Sequence, residues 1–179
     1  LAPWVAALRA KRRSPSLTEV VAHIRSVCAK IERSALLLIE GAGGLLVPLG
    51  ADFTMLDIIV ALQCETILVA GNKLGTINHT LLSILALKSA WQDRMPLPPR
   101  AAMSGGITPT LSLSPSSRVV LMNARNPDSS AASNPSALAR LLGPTPLISV
   151  PFLGRFASSL SAVRRNEKKI KKTLARILD

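Results

Sequence analysis

A continuous apolar run that ends in a carboxylate and a glycine-rich turn constrains the fold of this chain most strongly. Residues 35–39 read ALLLI without polar alternation, a pattern typical of a strand buried on both faces of a parallel sheet. Glu40 follows, and then Gly41, Gly43 and Gly44, which allow a sharp turn close to a ligand. A carboxylate at the end of a buried strand is costly unless a cation or hydrogen-bond donors meet it. Glu40 is therefore a candidate metal or phosphate-site residue, and a glutamate that caps the next element is the alternative.

Short apolar strands and amphipathic helices alternate along the rest of the chain. The pattern predicts strands at 66–70, 118–122 and 146–150 after the one at 35–39, and helices near 17–31, 52–62, 76–87, 136–142 and 159–178. The first helix begins with the capping-box pair Ser16 and Glu19. Right-handed crossovers would make the sheet parallel, so all strand ends would meet at one edge. These ends carry Glu40, the loop 71–75, Asn123 and Pro151. The sequence therefore predicts an α/β fold with one ligand cleft at that edge.

Length and composition favour one domain of a cytoplasmic protein whose cysteines are reduced. The chain has 179 residues, 48% of them hydrophobic, which predicts a single domain over 1–179. A proline-rich stretch at 91–117 interrupts the pattern and predicts a long, flexible surface insertion. Cys28 and Cys64 have no metal-site spacing and are expected to be reduced core residues. No signal peptide or membrane-spanning run is visible, and the first residue, Leu1, suggests a beginning that was lost, processed or not included.

A net charge of +12 calls for an explanation, because its basic residues are clustered. One cluster lies at 9–13 and the other at 164–176, within the last predicted helix. Basic clusters attract nucleic acid or anionic membranes by charge alone, although solvated helix faces look the same. Aromatic residues make up only 3% of the chain, which argues against a base-stacking surface. We therefore expect neither a nucleic-acid nor a membrane partner, and a basic nucleic-acid module remains an alternative resting on charge alone.

Two longer motifs resemble one enzyme family. The sequence EGAGGLLVPL at 40–49 and NKLGTINHTLL at 72–82 are similar to segments of dethiobiotin synthetase, an enzyme family of biotin biosynthesis. A strand ending in Asn123 and the later Pro151-Phe152-Leu153 follow in the family's order. The resemblance implies a P-loop NTPase-like, three-layer αβα fold in a cytoplasmic homodimer. It covers nearly all of the chain, which corresponds to the larger, C-terminal part of the family's sequence.

The resemblance implies an ATP- and Mg²⁺-dependent ligase. Its substrates are 7,8-diaminononanoate, CO2 and ATP. One amine takes up CO2 to form a carbamate, which ATP converts to a mixed anhydride. The second amine then closes the ring of dethiobiotin and releases phosphate. Catalysis of this kind works mainly by positioning and charge neutralisation.

The resemblance also implies roles for particular residues. Glu40 would bind Mg²⁺, a hard cation that takes one or two protein carboxylates and completes its shell with water and phosphate. Asn123 would hydrogen-bond the adenine edge, since an amide offers both a donor and an acceptor. Other ATP-binding residues would be Gly41, Ala42 and Gly43 near the phosphates and Pro151, Phe152 and Leu153 beside the purine. The substrate's carboxylate would be held across a dimer interface by Gly75, Thr76 and Asn78.

The chain also departs from the family. It contains no G-x-x-x-x-G-K-T loop, and it lacks the lysine–proline segment and the aspartate that help to hold Mg²⁺. The family's acid for the ribose is absent from residues 154–158. We therefore expect the P-loop unit to be missing and the isolated chain to be inactive, with no catalytic residue assigned within it. The alternative is a non-catalytic homologue that keeps the fold and the dimer surface.

Overall fold

A computed structural model describes residues 1–92 and 117–178, apart from 33, 42 and 155–159. Most of the predicted insertion at 91–117 and the segment 155–158 therefore lie outside the described residues. The chain divides into two compact units, Leu1–Cys64 and Glu65–Asp179. Each unit is described on its own below.

The first unit contains three helices, α1 (Pro3–Arg9), α2 (Leu17–Cys28) and α3 (Met55–Leu62), in its described part. The predicted capping box opens α2, because Glu19 accepts from the backbone N–H of Ser16 at 2.7 Å and its own N–H donates to Ser16 Oγ at 3.3 Å. Asp57 fixes the start of α3 in a similar way, since its Oδ2 accepts from Thr54 N at 2.8 Å and from Thr54 Oγ1 at 2.7 Å. Side-chain caps thus set where both helices begin.

The predicted strand at 35–39 is wrong. Residues 35–40 form no strand, and Leu36 and Leu38 are each 77% exposed. A strand exists through hydrogen bonds to a neighbouring strand, and an apolar run alone does not supply one. The β-pairing found in the described part of this unit is a single bridge between Pro48 and Thr54.

The second unit is built on a parallel sheet. Its described strands are β1 (Ile67–Gly71), β2 (Arg118–Met122) and β3 (Leu147–Val150), hydrogen-bonded in the order β1-β2-β3. The three predicted strands of this region are confirmed to within one residue. In the registers, Gly71 pairs with Met122 and Met122 pairs with Val150, so the three strands end level with one another.

The central strand carries the core of the second unit. Val119, Val120 and Leu121 are all buried, as expected where helices cover both faces of a parallel strand. Val69 of β1 is 63% exposed, because β1 is an edge strand among the described residues. The run of buried apolar residues that the sequence shows at 118–122 is therefore explained by its central place in the sheet.

Helices α4 (Thr76–Gln92), α5 (Asn134–Leu142) and α6 (Leu160–Leu178) flank this sheet. Helix α4 contacts β1 and α5, whereas α5 and α6 both contact β3. A short 3₁₀ turn, Ser129–Ala132, precedes α5. The predicted parallel α/β architecture with an αβα arrangement is confirmed. None of the helices in the described part of the chain is long and apolar enough to cross a membrane.

Only one of the two cysteines is partly enclosed by the protein. Cys64 is half-buried, and burial raises the pKa of its thiol above the ordinary value. Cys28 is exposed at the end of α2, so the prediction of a core residue is wrong there. The helical repeat placed it on the apolar face, whereas the buried face of α2 is centred on Val21.

Candidate functional site

The carboxyl ends of the three strands form one polar edge. Asn72 follows β1, Asn123 follows β2 and Pro151 follows β3, at level positions in the register. The backbone continues the ladder one step further, since Asn72 N donates to Met122 O at 2.8 Å and Asn123 N donates to Val150 O at 2.9 Å. Open parallel sheets bind ligands at this edge.

Three asparagine side chains join at this edge. Asn72 Nδ2 donates to Asn123 Oδ1 at 2.7 Å and to the main-chain oxygen of Ala131 at 3.0 Å. Asn134, the first residue of α5, donates from Nδ2 to Asn72 Oδ1 at 2.9 Å. Asn72 and Asn134 are each 3% exposed. Both N–H donors of the Asn72 amide and one of its two acceptor lone pairs are therefore used inside the protein.

The amide of Asn123 is only half used. Its Oδ1 accepts from Asn72, and its Nδ2 donates to Ser149 Oγ at 3.1 Å. A primary amide has two N–H donors and two acceptor lone pairs, so one of each remains. Asn123 is part-exposed, and these remaining groups suit a ligand that presents a donor beside an acceptor.

A carboxylate holds the loop after β1 against the loop after β2. Asp128 Oδ2 accepts from Leu74 N at 2.8 Å, while its Oδ1 accepts from Ser130 Oγ at 2.6 Å and Ser130 N at 3.0 Å. The bond from the Ser130 hydroxyl, followed by the one from Leu74 N, holds the pKa of the Asp128 carboxyl below its ordinary value. The ionised Asp128 carboxylate thus ties the loop leading into α4 to its neighbour.

A cavity of about 220 Å³ lies beside the first two turns of α4. Its lining includes Gly71, Lys73, Gly75, Thr76, His79 and Thr80. Gly75 has a φ of +88°, which favours glycine at the residue before the helix. A lysine, a histidine and a helix N-terminus together favour an anionic group in this cavity.

Thr80 lines this cavity with a buried hydroxyl group that has no hydrogen-bond partner among the described residues. Thr80 is only 2% exposed, and the unpartnered atom is its Oγ1. Buried hydroxyls are nearly always bonded, so an orphaned one is a cost that the fold carries. In contrast, Ser83, which lines the same cavity, donates from Oγ to His79 O at 2.9 Å.

In the first unit, the loop after Glu40 turns as the glycines predict. Gly43 and Gly44 have φ angles of +89° and +115°. A Cβ added to Gly41 would lie 2.9 Å from Met55 Cγ, so this glycine allows a close approach to the start of α3. Glu40 is exposed, and the described residues include no group of three or more His, Cys, Asp or Glu side chains placed to hold a metal. Glu40 would therefore provide one hard oxygen ligand, a donor set that fits Mg²⁺ with water and phosphate rather than a protein-only metal site.

The structure brings some of the predicted site residues together. Asn123 and Pro151 lie level on neighbouring strands, followed by Phe152 and Leu153, and Phe152 is 37% exposed. Asn166 of α6 donates from Nδ2 to Leu153 O at 3.0 Å, which fixes this segment. Gly75 and Thr76 line the cavity, whereas Asn78 is exposed and does not. Ala42 lies outside the described residues.

Sequence reasoning missed Asn72, Asn134, Asp128 and Ser149. Asn72 had a usable signal, because it lies in the loop 71–75 that directly follows a predicted strand. Asn134 and Asp128 had no such signal. Asn134 lies at the start of a helix and Asp128 lies in a loop, and only the fold brings them to the edge of the sheet. Each bonds to a segment more than fifty residues away in sequence.

Comparison with known proteins agrees with this architecture. A family model described as an AAA domain matches residues 1–97, more than half of the chain. The chain belongs to the AAA domain family. The AAA domain match includes the glycine turn after Glu40, strand β1 and helix α4.

Several curated relatives of this AAA domain chain are ATP-dependent dethiobiotin synthetases, named BioD. The one from Bacillus subtilis (strain 168) is 33% identical over 154 residues, which cover 86% of this chain and 53% of the relative. The one from Anaeromyxobacter sp. (strain K) is 36% identical over 168 residues, covering 91% and 63%. A short segment of 53 residues is 60% identical to the enzyme of Lawsonia intracellularis, covering 30% and 26%. The chain is dethiobiotin synthetase-like, and it spans between about half and two thirds of the first two relatives.

Proposed function

We propose that this chain supplies the nucleotide and substrate subsites of an ATP-dependent dethiobiotin synthetase, an enzyme of biotin biosynthesis. The observation that carries the proposal is the half-used amide of Asn123 at the level ends of the parallel strands. One free N–H and one free lone pair match the ring nitrogen and amino group along an adenine edge. Relatives of the chain bear the name of that enzyme, which supports the same activity here.

The purine would lie between Asn123 and the segment that follows β3. Pro151 and Phe152 offer apolar surface beside the amide, and Phe152 is exposed enough to cover a ring. Aromatic and apolar side chains bind bases through stacking, which tolerates any base. The choice of adenine would therefore rest with the polar groups of Asn123.

In the first unit, Glu40 and the glycine turn would serve phosphate groups and the metal ion that accompanies them. The Glu40 carboxylate would hold Mg²⁺, and Gly41, Ala42 and Gly43 would let the backbone approach the phosphates. When bound, Mg²⁺ would neutralise charge on the transferred phosphoryl group. Because Glu40 would provide only one carboxylate, we expect water and phosphate oxygens to complete the coordination of the magnesium ion.

The amino-acid substrate would place its carboxylate at the start of α4. Thr76 N already donates to Lys73 O at 3.1 Å, so the N–H groups of Ile77 and Asn78 are left for an anion by helix geometry. Gly75 and Thr76 would shape this seat.

The exposed face of α4 supports a homodimer that shares this site. Asn78, Leu82 and Leu85 lie four and seven residues apart and therefore on one face of the helix. Leu82 is 57% exposed and Leu85 is 50% exposed, so the face is apolar and uncovered. Docking of a second copy here would carry Asn78 to the partner's substrate, which is why this residue need not line its own cavity.

A binding experiment tests the substrate half of the proposal. We expect 7,8-diaminononanoate to bind the chain at least about tenfold more tightly than 2,3-diaminooctane, which has the diamine but no carboxylate. Gly75→Ala should remove this preference, because alanine disfavours a φ of +88° at the start of the carboxylate seat. Gly71→Ala is the control, since a Cβ there would meet nothing within 4 Å. Equal binding of both diamines to the unaltered chain would contradict the proposed seat.

An activity assay separates the enzyme from a non-catalytic homologue. The 179 residues contain no G-x-x-x-x-G-K-T loop, the usual cradle for the β- and γ-phosphates. We therefore expect no ATP-dependent ring closure by these residues alone, and measurable steady-state turnover would refute that expectation. Activity that appears when a P-loop segment is joined upstream would favour the enzyme, whereas continued inactivity would favour the homologue that keeps only the fold and dimer surface.

A further inference from the structure

We propose that Asn72 determines base specificity by fixing which way the Asn123 amide faces. This inference rests on the proposed nucleotide site, and it adds a positioning residue that does not itself touch the base. An amide that could turn over freely would present its donor and acceptor in either order, and it would match adenine and guanine alike. Specificity therefore needs something that holds the amide in one orientation.

The direction of the network is set by two main-chain oxygens, which can only accept. Ala131 O accepts from Asn72 Nδ2 at 3.0 Å, and Lys73 O accepts from Asn134 Nδ2 at 3.2 Å. These bonds require both amides to point their nitrogens as they do. A turned Asn72 would set its oxygen against Ala131 O and its nitrogen against the Asn134 nitrogen. Burial of both residues makes such unpaired contacts costly.

The fixed Asn72 then imposes its direction on Asn123. Its remaining N–H donates to Asn123 Oδ1 at 2.7 Å, so the oxygen of Asn123 must face β1. The nitrogen of Asn123 consequently faces β3, where it donates to Ser149 Oγ at 3.1 Å. Ser149 imposes no direction of its own, because a hydroxyl can either accept or donate.

This order of groups selects one kind of purine. The free lone pair of Asn123 lies on the β1 side and accepts from an exocyclic amino group, while the free N–H lies on the β3 side and donates to a ring nitrogen. Adenine presents that pair along one edge. Guanine presents a carbonyl oxygen and a ring N–H at the matching positions, so both contacts become mismatched. Specificity for the adenine nucleotide follows from the direction of the network.

Nucleotide selectivity of the full chain tests this inference. We expect ADP to bind about tenfold or more tightly than GDP in calorimetric titrations, the discrimination typical of a bidentate base contact. In Asn72→Ser the ratio should fall to within about threefold, because the amide can then turn. Ser149→Ala is the matched control. It removes the partner that imposes no direction, and the ADP preference should remain.

The outcomes separate the inference from the proposed function. Full ADP preference in a folded Asn72→Ser variant would overturn the role of Asn72 while leaving the nucleotide site in place. Failure of the unaltered chain to bind either nucleotide would overturn the nucleotide site itself.

Nuclear Overhauser measurements on the unaltered chain test the orientation even where Asn72→Ser does not fold. The side-chain N–H₂ protons of Asn123 should show contacts to the β protons of Ser149. Contacts of those protons to Asn72 instead, or an average of the two, would overturn the inference without any nucleotide being present.

Discussion

The orphaned hydroxyl of Thr80 is a cost that one substitution can remove. Thr80 Oγ1 is buried and has no partner among the described residues, and such a group costs about 1–3 kcal/mol. Valine has nearly the same shape and the same branching at Cβ, so it keeps the packing of α4. We expect Thr80→Val to stabilise the chain by about 1 kcal/mol in chemical denaturation.

Ser83→Ala is the matched control for that measurement. Ser83 lies on the same helix and lines the same cavity, but its hydroxyl is bonded to His79 O at 2.9 Å. Its exchange should change the free energy of unfolding by less than about 0.5 kcal/mol, as at most surface positions. A clear loss of stability in Thr80→Val would show that the hydroxyl has a partner, such as a bound water molecule.

The asparagines show what a sequence can and cannot predict at this scale. Asn123 could be found because it follows a strongly apolar strand, where a polar side chain must face the sheet edge. Asn72 occupies an equivalent position, yet its burial and its three partners depend on segments far along the chain. The direction of hydrogen bonds through such a network is a property of the fold, and no local pattern contains it.

At the level of helices and strands, the start of α2 depends on an ionised carboxylate. Hydrogen bonding from Arg13, and then from Ser16, lowers the pKa of Glu19 from 4.5 to about 2. Because the folded-state pKa is the lower one, the stabilisation is complete above pH 4.5 and is lost as the pH falls towards 2. We expect the helical circular dichroism of the chain to decrease over this range.

In Glu19→Gln, the stability of the chain should depend less on pH in this range, because glutamine has a similar shape but no group that titrates. The comparison is one of slopes, with thermal melts recorded at several pH values between 2 and 5 for both proteins. Identical slopes would show that the Arg13–Glu19 pair, joined at 2.6 Å, contributes nothing to stability.

The strands show where periodicity succeeds and where it fails. The runs at 118–122 and 35–39 look alike in sequence, but among the described residues only the first has strands on both sides to pair with. The helices were predicted more reliably, because a helix satisfies its own backbone and needs only caps such as Ser16 and one apolar face. Pairing partners are the information that a single run of residues lacks.

At the level of the whole molecule, the exposed leucines of α4 predict how copies associate. Leu82 and Leu85 lie beside Asn78 on an uncovered face, and a charge there would have to be buried in a dimer. We expect the chain to sediment at twice its mass of 19.0 kDa and Leu82→Glu to sediment as a monomer. Leu141→Glu, which alters a 42% exposed leucine on α5, should remain dimeric. A monomeric unaltered chain would contradict the shared substrate seat.

We propose that a purine nucleotide binds at the level strand ends of the second unit. The alternative is that the nucleotide is held only by charge attraction to basic side chains. The net charge of the chain is +12, and several exposed basic residues lie along α6: Arg164, Arg165, Lys171, Lys172 and Arg176. Titration of the ¹⁵N-labelled chain with ADP, followed by NMR at moderate salt, distinguishes the two. We expect saturable shifts at Asn72, Asn123 and Phe152. Shifts confined to α6 that vanish as salt is raised would rule out a nucleotide site at the strand ends.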